Sequence, residues 1–230
     1  YLVVDIGPDN SLKGRFRNKA WAKTIAEKTG ETPVVFYNSY QRTSLFWFYS
    51  GKPSHSHNPY WDRKSNYNFW PTESNLLGKK VFVADIYGIH TFSDSVKTRK
   101  GWVGLTFDSM YAALENIQII FPGKQLVVDD KSKTILLKCN RTLSRQYRYF
   151  LWSHKDLKVD LFAGVFKNKD LVKEMNTGIR IHEIVDSTND FALSLNFENI
   201  PTGKYILRFG IKSKDYPITH NSNNLELIIK

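Results

Sequence analysis

Cysteine and methionine are scarce in this chain, and long apolar runs are absent. The 230 residues include one cysteine and two methionines, which excludes a small fold stapled by disulfides. The longest apolar stretches are short and bounded by polar residues, whereas a membrane-spanning helix needs roughly 20 apolar residues. Aromatic residues make up 14% of the chain, which excludes a disordered protein. The composition is that of a folded globular protein with a sizeable core.

Acidic residues are the next deficit, because 22 Asp and Glu stand against 33 Lys and Arg, for a formal net charge of +11. Residues 1–120 hold 15 basic and 10 acidic side chains, so the excess is spread evenly. Nucleic-acid-binding chains concentrate Lys and Arg on one face or arm, so no nucleic-acid partner is expected. The densest basic clusters are Lys97, Arg99 and Lys100, and Arg141, Arg145 and Arg148. We interpret the second cluster as a solvated face or as a surface for lipid headgroups or a partner.

The first half alternates helix and strand patterns. Apolar residues recur at three-to-four spacing between Phe16 and Thr29, which predicts an amphipathic helix ended by Gly30. Further predicted elements are a buried strand over 33–38, a helix over 41–49 and a buried strand over 81–85. Helices interleaved with apolar strands favour an α/β domain over residues 1–121, a small and mostly parallel sheet with helices on both faces.

The second half changes to short alternating strands separated by turn residues, with no long helix. The predicted strands lie at 125–129, 134–139, 147–152, 158–166, 191–197, 204–211 and 225–229. This number of strands in about 110 residues is typical of an immunoglobulin-like β-sandwich. The sequence therefore predicts a second, all-β domain over residues 122–230.

Known catalytic and phosphate-binding signatures are missing. Each Gly-Lys pair lacks the upstream glycine and the Ser or Thr of a phosphate-binding loop, so no nucleotide or other cofactor is expected. Cys139 lies in an alternating strand pattern without a neighbouring His, and we interpret it as a buried structural thiol. His55 and His57 point to one face of a strand, but no third ligand is close in sequence, so no metal is expected.

One stretch stands out, since residues 38–70 carry aromatic and amide side chains well above the chain average. In an open α/β sheet, ligands lie beyond the carboxyl ends of the strands. That rule places residues 38–41 at one strand end and Asp85, Ile86 and Tyr87 at another, lining one crevice. Amide and hydroxyl groups beside aromatic faces suit sugars, because sugar hydroxyls take paired hydrogen bonds and sugar C–H faces stack on rings.

The candidate ligand-binding set combines these strand ends with the long loop after the second helix. Arg42 or Arg63 supplies a charged anchor for a phosphate. A long polar, aromatic loop is either functional or structural, and both interpretations stay open for its members. Leu45, Phe46 and Phe48, by contrast, are predicted core residues of the second helix. The candidate set is Asn38, Tyr40, Gln41, Asn58, Arg63, Asn66, Tyr67, Trp70 and Asp85.

Short strings of aromatic, amide and glycine residues between positions 33 and 105 carry a resemblance to a known family. They are PVVFYNSYQ at 33–41, FYSG at 48–51, NYNFW at 66–70, VADIYG at 83–88 and GWVG at 101–104, with Ser44, Asn58 and Arg63. In these strings the chain resembles the C-terminal soluble region of Bacteroidetes-type membrane glycosyltransferases. That group is similar to protein O-mannosyltransferases and the lipid A aminoarabinose transferase.

The resemblance implies a full-length protein that transfers a sugar from a polyprenyl-phosphate donor to a lipid or protein acceptor. Members of the family carry their catalytic acidic residues in loops between membrane spans, so the catalytic residues are expected outside this chain, and the chain alone is expected to be inactive. The sequence starts at Tyr1, which we interpret as the start of a fragment. The implied location is the periplasmic side of the bacterial inner membrane. The implied partners are an upstream membrane-spanning part of the same chain, the membrane surface and a lipid-linked sugar or glycan acceptor.

Two other classes of protein stay open. A free carbohydrate-binding module would present Trp61, Trp70 or Trp152 to a glycan, and it would carry a secretory signal instead of membrane spans. A soluble glycoside hydrolase would use two carboxylates about 5–10 Å apart as an acid/base pair. The candidates for that pair are Asp62, Glu73, Asp85 and Asp94.

Overall fold

A computed structural model of the chain describes residues 11–88, 92–129, 134–185 and 190–230. Within these ranges the protein is mostly β, with mixed sheets and few helices. The helices are α1 (Ser11–Thr29), α2 (Tyr40–Ser50), α3 (Arg145–Ser153) and α4 (Ile181–Val185), with a short 3-10 helix at Asn66–Asn68. The strands of the first half are β1 (Val34–Tyr37), β2 (Ser54–His57), β3 (Val81–Asp85), β4 (Asp94–Thr98) and β5 (Gly101–Asp108). Those of the second half are β6 (Gln118–Ile120), β7 (Gln125–Val128), β8 (Thr134–Thr142), β9 (Val159–Lys167), β10 (Asp170–Arg180), β11 (Asp190–Asn196), β12 (Gly203–Ser213) and β13 (Leu225–Ile229).

The chain divides into two compact units, and neither is continuous in sequence. Unit 1 comprises Tyr1–His57 and Gly78–Tyr111, and unit 2 comprises Asn58–Leu77 and Ala112–Lys230. The sequence predicted a single boundary near residue 121. The structure instead assigns the segment Asn58–Leu77 to the β-rich unit. We call this segment the polar segment.

The sheet of unit 1 has the strand order β2-β1-β3-β5-β4. Strands β2, β1 and β3 are parallel, while β5 pairs antiparallel with both β3 and β4. The sheet is therefore mixed, and only its first three strands follow the predicted parallel pattern. A two-residue loop, Arg99–Lys100, joins β4 to β5, and a connection this short permits only an antiparallel pair.

The core of unit 1 lies between this sheet and the two long helices. Trp21 of α1 and Phe46 of α2 both pack against Phe36 of β1, with Trp21 to Phe36 and Phe36 to Phe46 centroid distances of 5.7 and 5.4 Å. Both helices contribute to this one cluster, so α1 and α2 lie on the same face of the sheet. The sequence had predicted helices on both faces. Phe48 is 64% exposed, contrary to its predicted core role, because two residues turn a helix by about 200° away from Phe46.

The described residues of unit 2 form two sheets. One is five-stranded, in the order β10-β9-β12-β13-β7, with a parallel β13–β7 pair and antiparallel pairs elsewhere. The other is three-stranded and antiparallel, in the order β11-β8-β6. The backbone of Cys139 lies on β8, while its side chain lies outside the described part of the chain.

Helix α3 and strand β10 of unit 2 differ from the sequence-based expectations. The segment predicted as a strand over 147–152 is part of helix α3. Its buried residues Tyr147, Phe150 and Leu151 are spaced three and four apart, and the side chain of Ser144 caps the helix by accepting from the Tyr147 amide. Strand β10 was not predicted, because it is a polar edge strand whose residues alternate between exposed and half-buried.

Candidate functional site

The carboxyl ends of β1 and β3 lie side by side in unit 1, because these strands are parallel neighbours. Residues 38–41 follow β1, and Asp85 is the last residue of β3. The hydroxyl of Tyr87 donates to the Oγ atom of Ser39 across the two strand ends, over 3.4 Å. The structure thus brings together the first group of predicted site residues. We call Asn38, Ser39, Tyr40, Gln41, Asp85 and Tyr87 the strand-end edge.

Local backbone geometry positions the strand-end edge. Asn38 has a left-handed φ of 43°, which asparagine tolerates better than most residues. The backbone amide of Asn38 donates to the His57 carbonyl over 2.7 Å. Helix α2 then begins at Tyr40, after Ser39 as the N-cap residue. Tyr40 and Gln41 are exposed in the first turn of this helix. Both side chains are therefore accessible beside the strand ends.

Asp85 is buried and has a structural task at this edge. Its carboxylate accepts from the backbone amides of Tyr87 and Gly88, over 2.8 and 2.9 Å. Gly88 has a φ of 68°, a conformation that side chains disfavour. Asp85 thus closes the turn that presents the exposed ring of Tyr87 next to α2.

The remaining predicted site residues belong to the polar segment of unit 2. Asn58 is buried, and its amide donates to the Ser65 hydroxyl over 2.6 Å and to the Asn68 side chain over 2.7 Å. Asn68 in turn donates to the carboxylate of Glu115 over 3.1 Å. This chain of bonds is internal to unit 2, so Asn58 acts as scaffold and is not an accessible ligand-binding group.

Four other candidates in the polar segment divide by exposure. Tyr67 is buried, with its ring edge-on to Trp70 at a centroid distance of 5.2 Å. Arg63, Asn66 and Trp70 are exposed. Only these three present accessible side chains, and they do so on unit 2, whereas the strand-end edge lies on unit 1.

Tyr60 anchors the polar segment to the five-stranded sheet. Its ring is fully buried and packs edge-on against Phe166 at 5.3 Å, and its hydroxyl donates to Glu174 of β10. A Cβ atom on Gly164 of β9 would lie 2.5 Å from the Tyr60 ring, so glycine is required there. Burial and the neighbouring Glu174 carboxylate raise the pKa of Tyr60, which keeps the phenol protonated as a donor.

Glu73 fixes the other end of the polar segment. Its buried carboxylate accepts from the amides of Glu115 and Asn116, over 2.9 and 3.0 Å, and from the hydroxyl of Tyr147. Burial and the negative charge of Glu73 raise the pKa of Tyr147. Glu73 is therefore committed to holding three donors.

A basic cluster that sequence reasoning missed lies under the polar segment. Arg208 donates to the Tyr60 carbonyl over 2.9 Å, and His220 Nδ1 lies 3.1 Å from the Asp62 carbonyl. Burial, with Lys64 and Arg208 nearby, lowers the pKa of His220 to about 3. Burial and Arg208 also lower the pKa of Lys64 to about 8, although the Glu115 charge acts in the opposite direction. Arg208 is 148 residues from Tyr60 in sequence, and His220 is 158 residues from Asp62. No local sequence pattern therefore indicates this cluster.

The carboxylates suggested for a hydrolase have other contacts. Glu73 and Asp85 hold the donors described above, and Asp62 Oδ1 accepts from the Arg63 amide over 2.7 Å. Asp94 forms an ion pair with Lys28 over 2.6 Å. The hydrogen bond from Lys28 and a second one from the Ser95 amide lower the pKa of Asp94. Asp62 and Glu73 belong to unit 2, while Asp85 and Asp94 belong to unit 1. Each of the four carboxylates is therefore engaged by a hydrogen bond or an ion pair.

The two histidines considered as metal ligands lie on β2, with His55 opposite Val35 and His57 opposite Tyr37. Both are buried, and aromatic rings neighbour them, Tyr111 beside His55 and Tyr37 beside His57. Within the described ranges, no group of three or more His, Cys, Asp or Glu side chains is arranged to hold a metal ion.

No protein-family model and no curated protein matches the chain. Among solved structures, CopC from Methylosinus trichosporium OB3b is 16% identical over 50% of this chain and 93% of its own, with a TM-score of 0.28. The extracellular domain of a hybrid two-component system from B. thetaiotaomicron is 15% identical over 59% of this chain and 19% of its own, with a TM-score of 0.26. The endo-β-1,4-mannanase from Thermotoga petrophila is 14% identical over 91% of this chain and 50% of its own, with a TM-score of 0.30.

These similarities carry no argument about the fold or the function, because their TM-scores are too low. The chain spans about a fifth of the second protein and half of the third. None of the helices in the described part of the chain is long and apolar enough to cross a membrane.

Proposed function

We propose that this chain is a soluble, non-catalytic accessory region of a membrane glycosyltransferase that uses a polyprenyl-phosphate sugar donor. It lies on the periplasmic side of the bacterial inner membrane. The chemistry of transfer takes place in the membrane-spanning part, and this region covers that part or contributes a surface for the acceptor. In fold terms we propose an α/β first half followed by an immunoglobulin-like arrangement of the β-rich half.

One observation carries this proposal. The resemblance is most specific over residues 33–105, which include the string at 33–41 and the strand that ends in Asp85. These two separate stretches meet at the strand-end edge, where Tyr40, Gln41 and Tyr87 are exposed. Amide, hydroxyl and aromatic groups at the carboxyl ends of parallel strands form a surface suited to a sugar-containing ligand.

The contacts of two buried carboxylates support a non-catalytic role. Glu73 and Asp85 are both buried and occupied with backbone amides. A general acid or base must reach its substrate within hydrogen-bond distance, and neither of these groups is presented for that purpose.

A second candidate function, a free carbohydrate-binding module, is favoured by one observation. Trp61, Trp70 and Trp152 of unit 2 are 39%, 45% and 59% exposed. Exposed indole rings stack on sugar C–H faces. This candidate predicts glycan binding by the chain alone that weakens when Trp70 or Trp152 is replaced, and it predicts no dependence on a membrane-spanning part.

The test is sugar transfer by the full-length protein in membranes, with a polyprenyl-phosphate sugar as donor. Tyr40→Ala and Gln41→Ala are expected to lower the transfer rate at least about fivefold, since about 1 kcal/mol of lost contact corresponds to that factor. Gln125→Ala is the matched control, because Gln125 is an exposed glutamine on β7, and it should leave transfer unchanged. Equal rates for all three variants, at equal protein level in the membrane, would contradict the proposed role of the edge.

A further inference from the structure

The outer face of helix α3 combines aromatic and basic side chains. Arg145, Arg148, Tyr149 and Trp152 stand at positions i, i+3, i+4 and i+7, which place them on one face of a helix. All four are exposed, Tyr149 by 72% and Trp152 by 59%. Two large aromatic rings are therefore exposed on the same helix face as two guanidinium groups.

The opposite face of α3 explains why these rings stay outside. Tyr147, Phe150 and Leu151 are buried in unit 2. The hydroxyl of Tyr147 is held by Glu73, and the Ser144 side chain accepts from the Tyr147 amide. The helix is thus fixed in rotation by its inner face. The exposed rings of Tyr149 and Trp152 cannot turn inward without unpacking that face.

The charges on this face have one sign. Lys155 follows the helix, with its Nζ atom 5.7 Å from the centroid of the Trp152 ring. Helix α3 contains no acidic residue. Asp156 follows the helix in sequence and Glu183 lies on α4, while the carboxylate of Glu73 contacts the buried face through the Tyr147 hydroxyl. Among the described residues, Arg145, Arg148 and Lys155 form no ion pair. A cluster of unneutralised cations attracts an anionic surface.

We propose that this face of α3 docks on an anionic lipid bilayer. Tyr149 and Trp152 enter the headgroup level, where aromatic rings with one polar group are favoured, and Arg145, Arg148 and Lys155 bind lipid phosphates. The net charge of +11 on the whole chain adds attraction to the same surface. We call the five residues the α3 patch.

The size of the α3 patch favours a bilayer over a protein partner. A nine-residue helix is about 14 Å long, whereas a stable protein interface buries about 800 Å² on each side. A bilayer needs no matching contour, since a few aromatic and basic side chains suffice for interfacial binding. The inference deepens the proposed function and rests on it for its setting, because a region attached to a membrane enzyme lies beside a bilayer.

The experiment measures sedimentation of the 230-residue chain with large vesicles. Phosphatidylcholine vesicles containing phosphatidylglycerol are compared with vesicles of phosphatidylcholine alone. We expect binding to the anionic vesicles only. The double variant Arg145→Glu with Arg148→Glu should weaken binding at least about 25-fold, because each cation removed near the surface lowers the affinity about fivefold. Trp152→Ala should weaken it about tenfold, and high salt should weaken it further.

The chain offers matched controls for both changes. Trp102 of β5 in unit 1 is 63% exposed and has Lys97 6.0 Å from its ring centroid, so Trp102→Ala removes an indole of the same exposure and neighbourhood. Lys79→Glu with Lys80→Glu changes the net charge by the same amount at two exposed positions. Both controls should reduce binding less than twofold. Circular dichroism verifies that each variant is folded, and Trp152→Phe replaces Trp152→Ala if the latter unfolds.

Three outcomes would overturn the inference. The first is that the chain does not bind anionic vesicles, and the second is that the α3-patch variants bind them as well as the controls do. The third is that the chain binds soluble poly-glutamate but no vesicles, which would indicate an acidic protein partner. Because vesicle binding requires no transfer activity, its failure leaves the proposed function to be decided by the transfer assay. A negative transfer assay, conversely, leaves the vesicle result intact.

Discussion

Unit 1 and unit 2 place polar and aromatic residues of similar kind in opposite environments. In unit 2 the polar segment is tied down by buried groups, with Asn58, Tyr60 and Glu73 all bonded to residues distant in sequence or buried. In unit 1 the strand-end edge exposes Tyr40 and Gln41. Composition alone therefore does not separate an exposed surface from a buried scaffold. The separating feature is whether the fold buries the polar groups or leaves them accessible to solvent.

The largest effect is expected from Glu73→Ala in unit 2. The change removes the acceptor for the buried Glu115 amide, the half-buried Asn116 amide and the buried Tyr147 hydroxyl, at a cost of about 3–5 kcal/mol in the free energy of unfolding. Urea denaturation measures the loss, and hydrogen exchange should show it in unit 2 strands before β1 and β3. Glu198→Ala, at an exposed position, is the control and should stay within about 0.5 kcal/mol. A loss below about 1 kcal/mol would show that the polar segment is not held by Glu73.

A pair of glycines sharpens the comparison. Gly164→Ala in unit 2 forces a methyl group against the buried Tyr60 ring, and we expect a loss of about 2–3 kcal/mol in unfolding free energy. Gly104→Ala in unit 1 meets Phe92, which is 44% exposed and can swing away, so the loss should be below about 1 kcal/mol. Thermal denaturation of both variants gives the two values. Equal losses would contradict the difference in rigidity around these rings.

Acid is expected to weaken the polar segment through His220. The folded-state pKa of about 3 lies below the usual value of 6.5, so the unfolded chain binds a proton that the folded chain does not. The contribution of His220 to the free energy of unfolding is therefore present above pH 6.5 and is lost as the pH falls, by about 2.5 kcal/mol between pH 7 and 4.5. Urea titrations across this range measure the slope.

The control for the acid effect uses a second histidine of unit 2. His220→Gln should flatten the slope below pH 6.5, because glutamine does not titrate. His182→Gln, whose side chain is half-buried beside the His154 carbonyl, should retain it. An unchanged slope in His220→Gln would show that another group causes the loss.

Asp85→Ala tests the corresponding carboxylate of unit 1. It removes the acceptor for the amides of Tyr87 and Gly88, both at exposed residues, so water replaces the lost bonds and the cost should be about 1 kcal/mol. Calorimetry measures the shift in melting temperature. A loss as large as that of Glu73→Ala would remove the contrast between the two units.

The smallest effect on stability is expected at the exposed end of the polar segment. Arg63→Ala and Trp70→Ala should change the free energy of unfolding by less than about 0.5 kcal/mol, yet reduce sugar transfer by the full-length protein if this surface takes part. Denaturation and the transfer assay are run on the same variants. Loss of folding would assign the residues a structural role, and unchanged folding with unchanged transfer would assign them neither role.

Local patterns in the sequence predicted the elements that local physics determines. Helices α1 and α2 follow from apolar spacing and terminal glycines, and β1 and β3 follow from short buried runs. Helix α3 was missed, because an aromatic run such as Tyr147-Arg148-Tyr149-Phe150 fits a strand and a helix equally over six residues. Its cap at Ser144 and the spacing of its buried residues were the available signals.

The candidate site was predictable only in part. That residues 38–41 meet Asp85 follows from the rule for strand ends in parallel sheets. The partners of the polar segment did not follow, since Tyr147 reaches Glu73 across 74 residues and Arg208 reaches Tyr60 across 148. Pairings at such separations depend on the tertiary fold, which one sequence does not reveal.

The proposed accessory role in a membrane glycosyltransferase is tested most directly by the coding sequence upstream of Tyr1. Hydropathy plotted over windows of about 19 residues identifies membrane spans. We predict several such spans ahead of this region in the full gene product. A secretory signal alone, or an initiating Met directly before Tyr1, would contradict the proposal and favour a free glycan-binding protein.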